Sequence, residues 1–176
     1  YASSLNSGDG SNFLLTDLRV GDVIGVGAFG RVFLAMHKST HLVYALKSID
    51  MFEVSKAGYE TRVETETRIM AELDHPFITH LHASFKEEGS KNLHLMMEFN
   101  QGGELWYLLD QRTKLKEPDA KFYAASVLLA VEYMHKRKVV YRDLKPENVT
   151  LNASGYVKLV DFGFAKILTG EHTYTL

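Results

Sequence analysis

The apolar positions fall into short β-branched runs cut by polar turns, with a few longer stretches at helical spacing between them. Arg31-Val32-Phe33-Leu34-Ala35, a polar turn and Leu42-Val43-Tyr44-Ala45-Leu46 read as strand, turn and strand. Residues 77–85 and 92–99 read as two more strands around a turn at 86–91. Between these pairs, 59–73 places Glu66, Met70 and Leu73 on one helical face, and Pro76 closes that region. Asn100-Gln101-Gly102-Gly103 breaks the pattern as a linker does. A short helix is predicted over 104–111. A longer one starts near Pro118, a residue that a first helical turn tolerates, and runs to Lys138. Phe122, Ala125, Leu129 and Tyr133 lie along one face of it and are expected to face a core. Lys136, Arg137 and Lys138 suit the negative end of its dipole. Residues 149–151 and 156–160 form two further strands around Asn152-Ala153-Ser154-Gly155. Residues 1–12, rich in Ser, Asn, Gly and Asp, read as the flexible part of a leader, with order expected to begin between 13 and 18.

With 176 residues the chain can bury a real core, and its 45% hydrophobic and 24% charged content is that of a globular domain. A net charge of -2 gives no electrostatic argument for nucleic acid or an anionic membrane as partner. The absence of cysteine excludes disulfides and thiolate metal sites. No apolar run approaches the length of a transmembrane helix. The chain begins with Tyr1 and carries no signal-peptide pattern, so it is expected to be part of a longer one.

The chemistry concentrates in Tyr141-Arg142-Asp143-Leu144-Lys145-Pro146-Glu147-Asn148. Pro146 stiffens this loop, and an acid, an ammonium and an amide sit within six residues. Taken alone, such a stretch is more often a solvated turn. Thirteen positions after Asn148 stands Asp161-Phe162-Gly163. Far upstream lies Gly25-Val26-Gly27-Ala28-Phe29-Gly30-Arg31-Val32, followed by Ala45-Leu46-Lys47. The glycine pattern alone is weak. A dinucleotide site would follow it with a helix, but a strand follows here, so Asp50 is a poor candidate for a ribose-binding acid. A glycine loop joining two strands can instead direct backbone N–H groups at phosphates. Lys47 then becomes a phosphate ligand rather than a strand-end charge, and Glu66 on an inward helix face needs a partner. His80, His82 and His94 lack a specified fourth ligand, so a sheet face is a better home for them than a zinc site.

Taken in order, these four motifs resemble those of serine/threonine protein kinases. Tyr-Arg-Asp in place of His-Arg-Asp, with Asp-Phe-Gly-Phe-Ala-Lys, resembles the cyclic-nucleotide-dependent (AGC) group. Gly102-Gly103-Glu104-Leu105-Trp106 and Gly155-Tyr156-Val157-Lys158-Leu159-Val160 are most similar to its cGMP-dependent members. The resemblance implies an α+β, bilobal protein-kinase-like fold: an antiparallel β-sheet N-lobe with one main helix, then a partial helical C-lobe. The expected division is a leader over 1–17, an N-lobe over 18–99, a hinge over 100–103 and a partial C-lobe over 104–176.

The resemblance also implies the roles. ATP and Mg2+ are the expected cofactors. Ile24, Gly25, Val26, Gly27, Ala28, Phe29, Gly30, Arg31 and Val32 would cover the nucleotide. Lys47 would hold its phosphates and pair with Glu66. Val32, Ala45 and Thr150 would enclose adenine, with Met97, Glu98 and Asn100 along the hinge. Glu104 would meet ribose or a substrate arginine. Asn148 and Asp161 would hold the metal, Asp143 would take the hydroxyl proton and Lys145 would neutralise transferring charge. Met70, Leu81, Tyr141 and Phe162 match a stacked apolar column, although plain core packing accounts for them equally well. Thr150 departs from the leucine that related kinases place beneath adenine, which predicts a contact weaker by on the order of 1 kcal/mol. Thr175 is the expected phosphosite, with Arg142, Lys166 and Arg62 as basic partners. Expected partners are a protein substrate with basic residues near the target Ser or Thr, met by Glu104 and Glu147, and a cyclic-nucleotide-binding regulatory domain outside this chain. No nucleic acid or membrane partner is expected, and the expected location is cytoplasmic. No Ala-Pro-Glu follows Thr175, so the chain by itself is expected to be a poor catalyst. The alternative is a nucleotide-binding or decoy product without catalysis.

Overall fold

The computed structural model describes residues 13–168 and Gly170, so the leader over 1–12 and Thr175 lie outside the described residues. The chain forms two units. One comprises the residues up to Thr67 with His80–Phe99, and the other Arg68–Thr79 with the residues from Asn100 onward.

In the first unit, β1 (Leu18–Gly27), β2 (Gly30–His37), β3 (Val43–Asp50), β4 (Leu81–Phe85) and β5 (Asn92–Glu98) make one antiparallel sheet. The strand order is β1-β2-β3-β5-β4. Leu18, Ala35, Tyr44, Leu46 and Met96 are buried together, with Phe13, Leu15, Phe33, Ala83 and Phe85 packed against them. Residues 13–17, counted with the leader in the expected division, are structured, within the range 13 to 18 where order is expected to begin. Leu15–Asp17 form a 3-10 turn, and Lys38 donates from its backbone N–H to Asp17 O (2.9 Å) and from Nζ to Thr16 O (2.6 Å). The apolar contacts of Phe13 and Leu15 with the core account for order there. Pairing of β2 with β3 and of β3 with β5 is continuous, while β1 shifts register between Val20 and Val23 and again before Gly25, and β4 between Leu81 and Ala83.

After β3 comes α1 (Met51–Ala57), which the hydrophobic pattern did not reveal. Asp50 caps it, accepting from the N–H groups of Phe52 (3.0 Å) and Glu53 (3.4 Å), and Gly58 ends it at φ 73°. Asp50 is therefore a helix cap. Its hydrogen bond with Lys91 (2.6 Å) is the main cause that holds its carboxyl below the ordinary range. The predicted helix over 59–73 is α2 (Glu60–Glu72).

The strand expected from residue 77 begins only at Leu81. Leu159 N–H donates to Phe77 O, and Thr79 N–H donates to Leu159 O, both at 2.9 Å. These bonds place Arg68–Thr79 with the second unit, so the first is not the unbroken 18–99 expected. The rest of the second unit is α3 (Leu105–Arg112), α4 (Glu117–Lys136), β6 (Val139–Val140), β7 (Val149–Leu151), β8 (Val157–Leu159) and β9 (Lys166–Ile167). β6 pairs with β9 and β7 with β8, all antiparallel. The inward face of α4 differs from the expected one. Ser126, Ala130 and Met134 are buried, whereas Phe122 and Leu129 are 43% and 49% exposed. Small residues at i and i+4 let neighbouring backbone approach closely, and Ser126 satisfies its hydroxyl on Phe122 O (2.8 Å). Among the described residues, no helix is long and apolar enough to cross a membrane.

Candidate functional site

The first unit supplies a glycine loop, a lysine and a glutamate. Gly27 pairs with Gly30, so Ala28 and Phe29 alone form the turn between β1 and β2. The Phe29 carbonyl accepts from Asp50 N–H (2.8 Å). Gly30 lies so close to β3 that an added Cβ would stand 1.9 Å from Ser48 O, whereas one at Gly25 or Gly27 would make ordinary contacts at 3.5 and 3.8 Å. Register pairs Val32 with Lys47, Lys47 with Leu95, and Ala45 with Met97. Directly paired residues share a face and alternate residues return to it. Val32, Ala45, Lys47 and Met97 therefore occupy one face of the sheet, and Gly25, paired with Val32, adjoins them. Ile24, Val26 and Ala28 are exposed, as is Arg31, and Ala45 is buried. Glu98 ends β5 and donates its N–H to His80 O (2.9 Å). Lys47 Nζ meets Glu66 Oε1 at 2.6 Å, with the two side chains 25% and 7% exposed. The inward carboxylate thus has the partner its burial requires.

The second unit holds the acid, amide and loop lysine. Asp143 Oδ2 accepts from Asn148 Nδ2 (2.8 Å) and Lys145 Nζ (2.9 Å), and Asn148 Nδ2 also donates to Asp143 O (3.0 Å). A 3-10 turn over Pro146–Asn148 sets this spacing, with Asn148 N–H closing on Lys145 O at 3.0 Å. The hydrogen bond to Asp143 is the main cause that raises Lys145 above its ordinary range, reinforced by the charges of Asp143, Asp161 and Glu147. Val160 N–H donates to Asn148 O (3.1 Å), joining the loop to the segment that delivers Asp161. Asp161 sits at φ 57° and accepts from Gly163 N–H on Oδ1 (3.1 Å). Arg142, at φ 66°, donates from Nε to Phe164 O (2.8 Å). The Tyr141 hydroxyl donates to Val160 O, and its ring meets Phe162 edge-on at 5.3 Å. Burial, then the negative charges of Asp161 and Asp143, push the Tyr141 hydroxyl well above its ordinary range. The sequence pointed to Tyr141 as the first residue of Tyr-Arg-Asp and as an apolar column residue, so this hydroxyl bond was missed. Phe162 is buried, as is Met70 in this unit, and Leu81 is buried in the first unit.

Gly102 N–H donates to Leu151 O (2.8 Å) and Leu151 N–H to Gly103 O (2.9 Å), which fixes the linker on β7. A Cβ at Gly102 would lie 2.8 Å from Leu151, so this glycine is required by packing. Glu104 bridges to Thr150 through the backbone. Asn100 Nδ2 approaches Thr79 Oγ1 at 3.4 Å. The Thr150 hydroxyl is bonded to Lys158 O (2.9 Å). The His80 and His82 rings are 4.8 Å apart, and His94 stacks on Phe85. No group of three or more His, Cys, Asp or Glu side chains suited to a metal occurs among the described residues. The donors fit Mg2+: a carboxylate and an amide oxygen on adjoining segments are hard ligands, and that ion typically completes its shell with phosphate and water.

Residues 18–176 match the protein kinase domain family. The chain is 42% identical over 162 residues to a cGMP-dependent protein kinase of Plasmodium berghei, covering 92% of this chain and 19% of that protein. It is 44% identical over 160 residues to one of Toxoplasma gondii, covering 91% of this chain and 16% of the other. With cAMP-dependent protein kinase type 3 of Saccharomyces cerevisiae the identity is 38% over 164 residues, 93% of this chain and 40% of that protein. The chain thus spans less than half the length of each of these relatives. With its glycine hairpin, its Lys47–Glu66 pair and its Asp143–Asn148 loop in one ordered sequence, the chain belongs to the protein kinase domain family.

Proposed function

We propose that this chain carries the nucleotide-holding and phosphoryl-transferring residues of a serine/threonine protein kinase. The reaction moves the γ-phosphoryl of ATP to a Ser or Thr hydroxyl on a protein. The observation that carries this reading is Asp143, whose Oδ2 is held by Asn148 and Lys145 on a rigid loop. An acid fixed in that way can orient a hydroxyl and accept its proton. Lys145 stays charged beside it and balances the transferring phosphoryl. Gly25, Gly27 and Lys47 bind the triphosphate, and Val32, Ala45 and Thr150 bind adenine, with Met97, Glu98 and Asn100 along the hinge. Mg2+ held through Asn148 and Asp161 oxygens supplies charge neutralisation at the phosphates.

Glu104 and Glu147 are exposed carboxylates and favour a substrate with basic residues near its target hydroxyl. Similarity to proteins named cGMP-dependent protein kinase supports regulation by a cyclic-nucleotide-binding domain. Thr175 is the proposed phosphosite, with Arg142 as a basic partner. A cytoplasmic setting belongs to the same proposal because the reaction draws on ATP. Asp143→Asn should retain ATP binding and lower phosphorylation of a basic peptide by about 10²–10⁴. Equal turnover removes the assignment of the base. Nucleotide binding without transfer in the unsubstituted protein favours the decoy reading instead.

A further inference from the structure

We propose that Tyr59 is a positioning residue for ATP, its ring anchoring the tip of the glycine loop through Phe29. The inference rests on the reading that this loop covers the phosphates. Phe29 sits in a two-residue turn whose neighbours Val26, Gly27 and Ala28 are exposed, yet Phe29 is half-buried. Its ring lies 5.3 Å from that of Tyr59, tilted by 52°. Tyr59 is itself firmly placed. Its N–H donates to Val54 O (3.0 Å), and its carbonyl accepts from Arg62 and Val63 (both 3.1 Å) to start α2. The Arg62 guanidinium stands over its ring at 5.6 Å.

Core packing is the simpler account of such a pair, but it fits poorly. Tyr59 remains 42% exposed, and neither ring packs in the cluster of Leu18, Ala35, Tyr44, Leu46 and Met96. The position of the pair is more telling. The helix that Tyr59 introduces also bears Glu66, which holds Lys47 at 2.6 Å. One helix therefore fixes both the lysine and the tip of the loop. A glycine-rich turn loses conformational freedom when it closes on a ligand. A contact that orders the tip beforehand reduces that loss and raises affinity.

A double-mutant cycle on ATP affinity tests this, using a fluorescent ATP analogue and the KM for ATP. Tyr59→Ala and Phe29→Ala should each weaken binding about two- to tenfold, the range that an aromatic pair supports. The double variant should be no weaker than the worse single one. Tyr59→Phe, which keeps the ring, should bind as the parent does. KM for ATP should rise with kcat largely retained, a split that general unfolding does not produce. Additive effects, unchanged affinity in Tyr59→Ala or tighter binding each overturn the anchor while the kinase reading stands. Failure of the unsubstituted protein to bind the analogue overturns both.

Discussion

The three glycines of the loop are expected to fail for different reasons, and Gly30→Ala tests the distinction most directly. An added Cβ at Gly30 would meet Ser48 O at 1.9 Å, Ser48 C at 2.9 Å and Ile49 Cα at 3.0 Å. All three are backbone atoms of β3, which is paired on its other side with β5 and cannot swing away freely. Restoring contact distance requires a displacement of roughly 1 Å, and forced overpacking of this kind costs about 1–3 kcal/mol. The lower entropy of an unfolded alanine chain offsets about 0.4–1 kcal/mol of that. The net loss, about 1.3 kcal/mol at mid-range, corresponds to a Tm lower by about 3–5 °C for a chain of this size. At Gly25 and Gly27 the nearest atoms are Val32 Cβ at 3.5 Å and Gly30 O at 3.8 Å, so alanine there should leave Tm level or slightly raised. On the proposed function, those two substitutions should instead weaken nucleotide binding several-fold, because a methyl group would intrude where the backbone is proposed to approach phosphate. Thermal unfolding by circular dichroism, beside an ATP-analogue titration, separates the cases. Gly30→Ala melting with the parent, or Gly25→Ala and Gly27→Ala melting well below it, would refute the reasoning.

Lys47→Met leaves the buried Glu66 carboxylate without the ammonium at 2.6 Å, so denaturant titration should show a loss of about 1–3 kcal/mol, and turnover should fall with it. Thr150→Val removes the hydroxyl bond to Lys158 O, and the same titration should show about 0.5–1.5 kcal/mol lost. His94 is buried against Phe85, and burial holds its pKa below the ordinary 6.5. Below that value the unfolded chain binds the proton first, so stability present at pH 7 should decline as pH falls through about 6.5. His94→Phe should flatten that decline, and an unchanged slope would assign it elsewhere, as to His75, whose pKa is also lowered by burial.

Motif order exposed the candidate site well, because Asp143, Asn148 and Lys145 are close in sequence and a proline turn determines their geometry. That an inward-facing Glu66 needs a partner was legible in the helical pattern, and the kinase resemblance pointed to Lys47 as that partner. The short α1 escaped notice because its seven residues give too little periodicity, although Asp50 and Gly58 marked both ends. The face of α4 was misjudged for a different reason. Bulky residues at Phe122 and Leu129 dominate an apolar pattern, while close approach selects Ser126 and Ala130. Thr150 was singled out by resemblance alone, and only the coordinates show that its hydroxyl is engaged by Lys158 O. The late start of β4 follows from Phe77 and Thr79 bonding to Leu159, a long-range competition that local pattern does not contain.

The register shifts in the sheet fall on β1 and β4, its two outermost strands, while the inner pairs run without interruption. An outermost strand offers unpaired N–H and carbonyl groups to any passing chain, and β1 adds the exposed side chains of Val20, Val23, Ile24 and Val26 to that invitation. A straight incoming strand needs several successive bonds in step, and a kink every few residues denies it that run. The irregularities therefore guard against edge-to-edge aggregation at an exposed, glycine-containing edge strand. Smoothing β1 to improve its pairing with β2 would trade a more regular hairpin for a stickier protein.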